Sequence, residues 1–86
     1  MSEVISKVAK NAREVLFLSL SEFKGHRLID LRVHVPGDQE GEWVPTKKGV
    51  SLAVGLYPEF KQALAQVEQA LLDQKILDPE DLEEAG

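Results

Sequence analysis

"HRLIDLRVHV", residues 26–35, alternates with a period of two: Ile29, Leu31, Val33 and Val35 fall on one side, Leu28, Asp30, Arg32 and His34 on the other. Such a pattern predicts a strand with one core face and one face left available. Immediately upstream, "EVLFLSLSEF" (14–23) is rich in branched and aromatic residues and alternates from Ser19 onward, which predicts a strand over 15–23 closed by a turn at Lys24–Gly25. Downstream, "PGDQEG" (36–41) has the composition of a hairpin loop, and "EWVPTKK" (42–48) reads as a third strand. Pro45 cannot donate a ladder hydrogen bond, so that strand is expected at an edge or bent there. Gly49 reads as a break, and "VSLAV" (50–54) as a short fourth strand.

From Pro58 the period changes. Phe60, Ala63, Leu64, Val67, Ala70 and Leu71 recur at helical spacing, Pro58 suits a first turn, and Glu59 complements the helix dipole, so a helix is expected to run to about Asp73 or Lys75. Four antiparallel strands followed by one amphipathic helix make an α+β arrangement. A chain of 86 residues buries only about 60% of its unfolded surface. The apolar stripe of the helix is broad enough to pack on a sheet and also meet a second copy, so Phe60, Leu64, Val67 and Leu71 are the expected homodimer interface.

The chain divides, on this reading, into an N-terminal segment (1–13), a folded domain (14–75) and an acidic C-terminal tail (76–86). In the N-terminal segment Val4, Ile5, Val8 and Ala12 sit beside Lys7, Lys10 and Arg13, which suits either a short basic helix or a flexible segment. "DPEDLEEAG" (78–86) reads as a solvated tail, or as a short helix capped by Asp78 and started by Pro79.

Composition excludes several classes. With no cysteine, neither a disulfide framework nor a thiolate metal cluster is available, and a reducing compartment is expected. There is no apolar run of signal-peptide or membrane-span length, so the expected location is the cytoplasm, with nucleoid association as an alternative, and no membrane partner. His26 and His34 lie about 26 Å apart on one strand and cannot share a metal. No nucleophile elbow, phosphate-binding glycine loop or dinucleotide fingerprint occurs. The expectation is therefore a protein without catalytic residues, metal, cofactor or small-molecule substrate. Charge is unevenly placed: residues 1–50 carry eight basic and seven acidic side chains, residues 51–86 two and eight, within a net charge of -5. An anionic partner is thus compatible with the first half.

The run "SLSEFKGHRLIDLR" (19–32), the loop "PGDQEGEW" (36–43), then "PTKKGVSL" (45–52) and a helix, in this order and spacing, resemble the positive cofactor four family of transcriptional coactivators in its compact bacterial form. The resemblance covers roughly residues 15–72. It implies a curved four-stranded antiparallel sheet backed by a helix, and a homodimer whose β-ridges bind single-stranded DNA with little sequence preference. It also implies a role as a transcriptional coactivator or regulator, or in DNA maintenance, with the transcription machinery as a further partner. On the matching positions Phe23 and Lys24 are a stacking and phosphate pair, and Arg32 and Lys48 are further basic contacts. Lys47 is a weaker candidate because alternation turns it away from Lys48. At Ser21, His26 and Val44 this chain lacks the basic side chains of the best-known members, and at Val35 it lacks their ridge tryptophan. Trp43 is a candidate replacement ring, with core or dimer packing as the other role for so large a side chain. Alternatives to single-stranded DNA binding are RNA binding, and a protein-interaction module of the same fold that has lost its ligand.

Overall fold

In a computed structural model, which describes residues 2–83, four strands form one antiparallel sheet: β1 (Ser2–Ala9), β2 (Val15–Phe23), β3 (His26–Pro36) and β4 (Trp43–Ala53), paired in the order β1-β2-β3-β4. A 3-10 turn, Val54–Leu56, leads to helix α1 (Tyr57–Asp73), and a one-turn helix α2 (Pro79–Glu83) follows. The chain divides into two compact units, Met1–Gly55 and Leu56–Gly86.

The number of strands agrees with the sequence reading, but two of their identities do not. Residues 2–9 are neither a helix nor a flexible segment: they pair with β2 from Ser2↔Ser21 to Ala9↔Val15, with a register shift between Val4 and Ser6. The spacing of Val4 and Val8 fits a period of two as well as a helical turn, so only a neighbouring strand edge decides between them. The expected third and fourth strands are one continuous strand. Gly49 does not break β4; it faces Arg32 of β3, where a Cβ would meet the Leu31 carbonyl oxygen and lie 2.8 Å from the Arg32 Cα. Glycine is therefore required at this position by a close backbone approach, the other meaning of a glycine inside a strand.

Each hairpin has a local cause. Asn11 Oδ1 accepts hydrogen bonds from the backbone N–H groups of Arg13 and Glu14, both at 2.9 Å, folding the β1–β2 loop. Lys24 (φ 50°) and Gly25 (φ 81°) form a two-residue turn of the mirror-image type that matches strand twist. The β3–β4 loop closes through Gly37 N–H to the Glu42 carbonyl at 2.9 Å.

Pairing sorts the side chains onto two faces. Val8, Leu16 and Val33 align on one, with Leu18, Leu31 and Val50 and then Leu20, Ile29 and Leu52 beside them. The opposite face carries Lys7, Phe17 and Arg32 in one row, Ser19, Asp30 and Ser51 in the next, and Phe23, His34 and Trp43 toward the ends. Among the described residues Phe17 and Val33, one from each face, are the buried apolar side chains, each 7% exposed. In the second unit, Pro58 lies in the first turn of α1 and Glu59 beside it. The helix ends with Lys75 in the left-handed region, so that the Ile76 N–H reaches the Leu71 carbonyl at 2.9 Å and the Lys75 N–H reaches Leu72 at 3.1 Å. Asp78 N–H donates to Asp81 Oδ2 at 2.9 Å at the start of α2, the capped form of the acidic segment.

Candidate nucleic-acid interface

The residues that the sequence marks for binding lie in two places on the sheet. At the β2–β3 tip, Phe23 is 62% exposed, and the Lys24 ammonium sits 5.3 Å from the centre of its ring. The tight turn holds the ring and the cation together, which presents a stacking surface beside a positive charge.

The second place is the irregular pairing of β3 with β4, where the register shifts between Arg32 and His34. Thr46 Oγ1 donates to the Val33 carbonyl at 2.8 Å and accepts from the Lys48 N–H at 3.2 Å, which holds the bulged segment. Arg32 is engaged on every side: Nε and Nη2 donate to the two Asp30 carboxylate oxygens at 3.1 Å each, and Nη1 donates to the Thr46 carbonyl at 2.9 Å. Ser51 Oγ adds a 2.7 Å hydrogen bond to Asp30. Partial burial opposes ionisation of Asp30, but the hydrogen bonds from Arg32 and Ser51 and the neighbouring positive charge outweigh it, and its carboxyl is held below the usual range. The same pair raises the pKa of Arg32. Arg32 is thus paired with an acid on its own strand, and the pairing occupies the fork that a phosphate would use.

Lys48 is exposed, with its ammonium 3.8 Å from Glu14, which Lys10 also approaches at 3.6 Å. The Asn11 side chain donates to Glu14 at 2.7 Å, and that bond, with the two lysines, lowers the Glu14 pKa. Lys47 is exposed on the same strand.

Trp43 pairs with Pro36 while Val44 pairs with Val35, so the indole lies on the face opposite those two valines. Its ring centre is 6.4 Å from that of Phe17, at 53°. Phe17 in turn stacks on His34 at 3.8 Å and 9°, and the Lys7 ammonium lies 4.9 Å from the Phe17 ring. Phe17 and His34 are not among the binding residues that the sequence marks, and Lys7 is marked only as part of a basic N-terminal segment. Residues 15–18 are all apolar, so periodicity assigns Phe17 to neither face, and grouping it with Lys7 requires β1 to be a strand. On α1, Phe60, Leu64, Val67 and Leu71 share one side; Leu64 and Val67 are 52% and 54% exposed.

A family model described as Transcriptional Coactivator p15 (PC4) matches residues 10–63. The chain belongs to this family. The family comprises DNA-binding transcriptional coactivators. The chain is 33% identical over 70 residues to the RNA polymerase II transcriptional coactivator SUB1 of Saccharomyces cerevisiae, an alignment that covers 81% of this chain and 23% of the yeast protein. It therefore spans less than a quarter of that relative's length. The crystal structure of a PC4 homologue from Burkholderia pseudomallei is similar with a TM-score of 0.71 at 30% identity, covering 78% of this chain and 89% of the other. A bacteriophage T5 homologue of the eukaryotic coactivator PC4, implicated in recombination-dependent DNA replication, shares the fold with a TM-score of 0.60 at 24% identity, covering 99% and 89% of the two chains. Among the described residues no helix is long and apolar enough to cross a membrane.

Proposed function

We propose that this PC4-family chain is a non-enzymatic, homodimeric protein that binds single-stranded DNA with little sequence preference, in transcription or in DNA maintenance. The observation that carries the reading is the exposed Phe23 ring with the Lys24 ammonium beside it on a constrained turn. Base–aromatic stacking is sequence-tolerant because every base has a π-face, and a cation next to the ring meets the phosphate of the stacked nucleotide. Lys48 and Lys47 add positive charge from β4, and Trp43 offers a second ring. Arg32 is assigned a positioning role, since its donors are already used within the sheet.

The homodimer is supported by the exposed Leu64 and Val67 on one side of α1, in line with Phe60 and Leu71. Leu64→Asp is expected to dissociate and unfold the protein together, because a charge would be desolvated without a partner. Light scattering that finds a stable monomer at micromolar concentration rejects the dimer.

The binding test is a fluorescence-anisotropy titration with labelled oligo-dT at two salt concentrations, with duplex DNA and poly-U as competitors. Competition by poly-U as effective as by unlabelled oligo-dT would move the assignment to RNA. The occupied fork of Arg32, together with the net charge of -5, favours a second reading, a protein-interaction module without nucleic-acid affinity. An oligo-dT titration with no binding at low salt selects that reading.

A further inference from the structure

We infer that β1 supplies a second cation–ring station for the bound single strand, formed by Lys7 and Trp43 over a Phe17–His34 base. This rests on the single-stranded-DNA reading and extends it to a strand that lies outside the family-matched segment, residues 10–63. The register places Lys7 opposite Phe17, and Phe17 opposite Arg32, in one row across the same face that carries Phe23 and Trp43. Phe17 is buried, with His34 stacked flat against it, so the base of the station is rigid. Lys7 is exposed and its ammonium is held 4.9 Å from the ring, while Trp43 leaves 36% of its surface open.

A lysine whose stem is already ordered against an aromatic ring loses less freedom on meeting a phosphate than one extending into water. The open indole offers the adjacent stacking surface. Phe23 and Phe17 are six residues apart on β2, so Lys7 lies about 20 Å along the sheet from the Phe23–Lys24 tip. Trp43 lies opposite Pro36, ten residues along β3 from the partner of Phe23, or about 33 Å. A strand crossing this face from the tip therefore reaches the Lys7 row and then Trp43.

The bland role for the same residues is packing: Lys7 and Trp43 would only shield Phe17. Packing alters stability, whereas a phosphate contact alters the dependence of binding on salt, and the two are separable. The experiment uses the full chain and a dT oligomer of about 16 nucleotides, the upper end of single-module site sizes, titrated over a salt series, with folding checked by circular dichroism. Lys7→Gln is expected to lower the slope of log K against log salt by about 0.7, one phosphate contact on a single strand. Lys7→Arg should restore it, and Lys61→Gln, on α1, should leave the slope unchanged. Trp43→Ala is expected to weaken binding by about 5- to 160-fold with little change in slope.

If Phe23→Ala weakens binding while folded Lys7→Gln keeps the wild-type affinity and slope, the β1 station is rejected and the tip assignment stands. If wild-type protein does not bind the oligomer, both fall.

Discussion

The β2–β3 tip and the β3–β4 bulge each present a basic residue that the family resemblance assigns to nucleic acid, yet the two cations are in opposite states. Lys24 stands on an exposed turn beside an open ring. Arg32 has its fork on Asp30 and its remaining nitrogen on the Thr46 carbonyl. Among the described residues the Lys24 ammonium has no hydrogen-bond partner, whereas a guanidinium in the middle of a sheet satisfies a half-buried carboxylate and a carbonyl freed by the bulge. Residue type and position nominate a binding cation; whether its donors are already used decides if it is free to bind.

The sharpest way to break this contrast is Phe23→Ala. Oligo-dT binding should weaken by about 1–3 kcal/mol with the salt slope little changed, since stacking releases no counterions. An unchanged affinity in the folded variant removes the tip from the interface.

Arg32→Ala should act on the other side of the comparison. It leaves Asp30 and the Thr46 carbonyl without their main donor, so the melting temperature should fall, on the order of 5 °C, while the salt slope of binding stays near wild type. A lower slope with unchanged melting would make Arg32 a phosphate contact after all.

Lys24→Asn sets stability against binding at one residue. Lys24 holds a positive φ, a conformation that asparagine tolerates better, and Asn-Gly is the favoured pair for this turn. Stability should rise by about 0.5–1 kcal/mol. The salt slope should drop by about 0.7. Denaturant melts and the same titration measure both; a stabilised protein with an unaltered slope would mean that the turn lysine makes no phosphate contact.

The smallest effect is the acid limb. The Asp30 carboxyl is held below its ordinary range, so its contribution to stability is fully present above the unfolded value of about 3.9 and is lost as pH falls through the lower folded value. Glu14 follows the same direction. Melting temperature should be insensitive to these two groups above about pH 5 and fall below pH 4, with a shallower fall in Arg32→Ala, where the first donor to Asp30 is gone. Equal acid limbs in the two proteins would show that Arg32 is not what lowers Asp30.

Much of the sheet was legible because its causes are local. The alternation over 26–35, the Lys24–Gly25 turn and the "PGDQEG" loop each depend on residues within a few positions of one another. Gly49 and residues 2–9 misled for the opposite reason: a glycine that breaks a strand and one that admits a close neighbour look alike until that neighbour, Arg32, is in place. Of the candidate site, the exposed Phe23 and Lys24 could be read from their place at a turn. The Lys7–Phe17–His34–Trp43 group could not, since it joins four strands.

The sequence by itself determined the class of this protein: hairpins in chain order, a helix begun at Pro58, and the family that its motifs resemble. Only the tertiary structure decided that β1 joins the sheet, that β4 runs through Gly49, that Trp43 lies on the face opposite Val35, and that Arg32 is held by partners on its own strand and on β4. Asp30 and Ser51 are 21 residues apart, and Arg32 and Thr46 are 14. Periodicity carries information over a few residues along one strand, whereas hydrogen-bond valence is satisfied both along and across strands: Asp30 holds Arg32 from two residues away, and Thr46 and Ser51 complete the network from a strand distant in the chain.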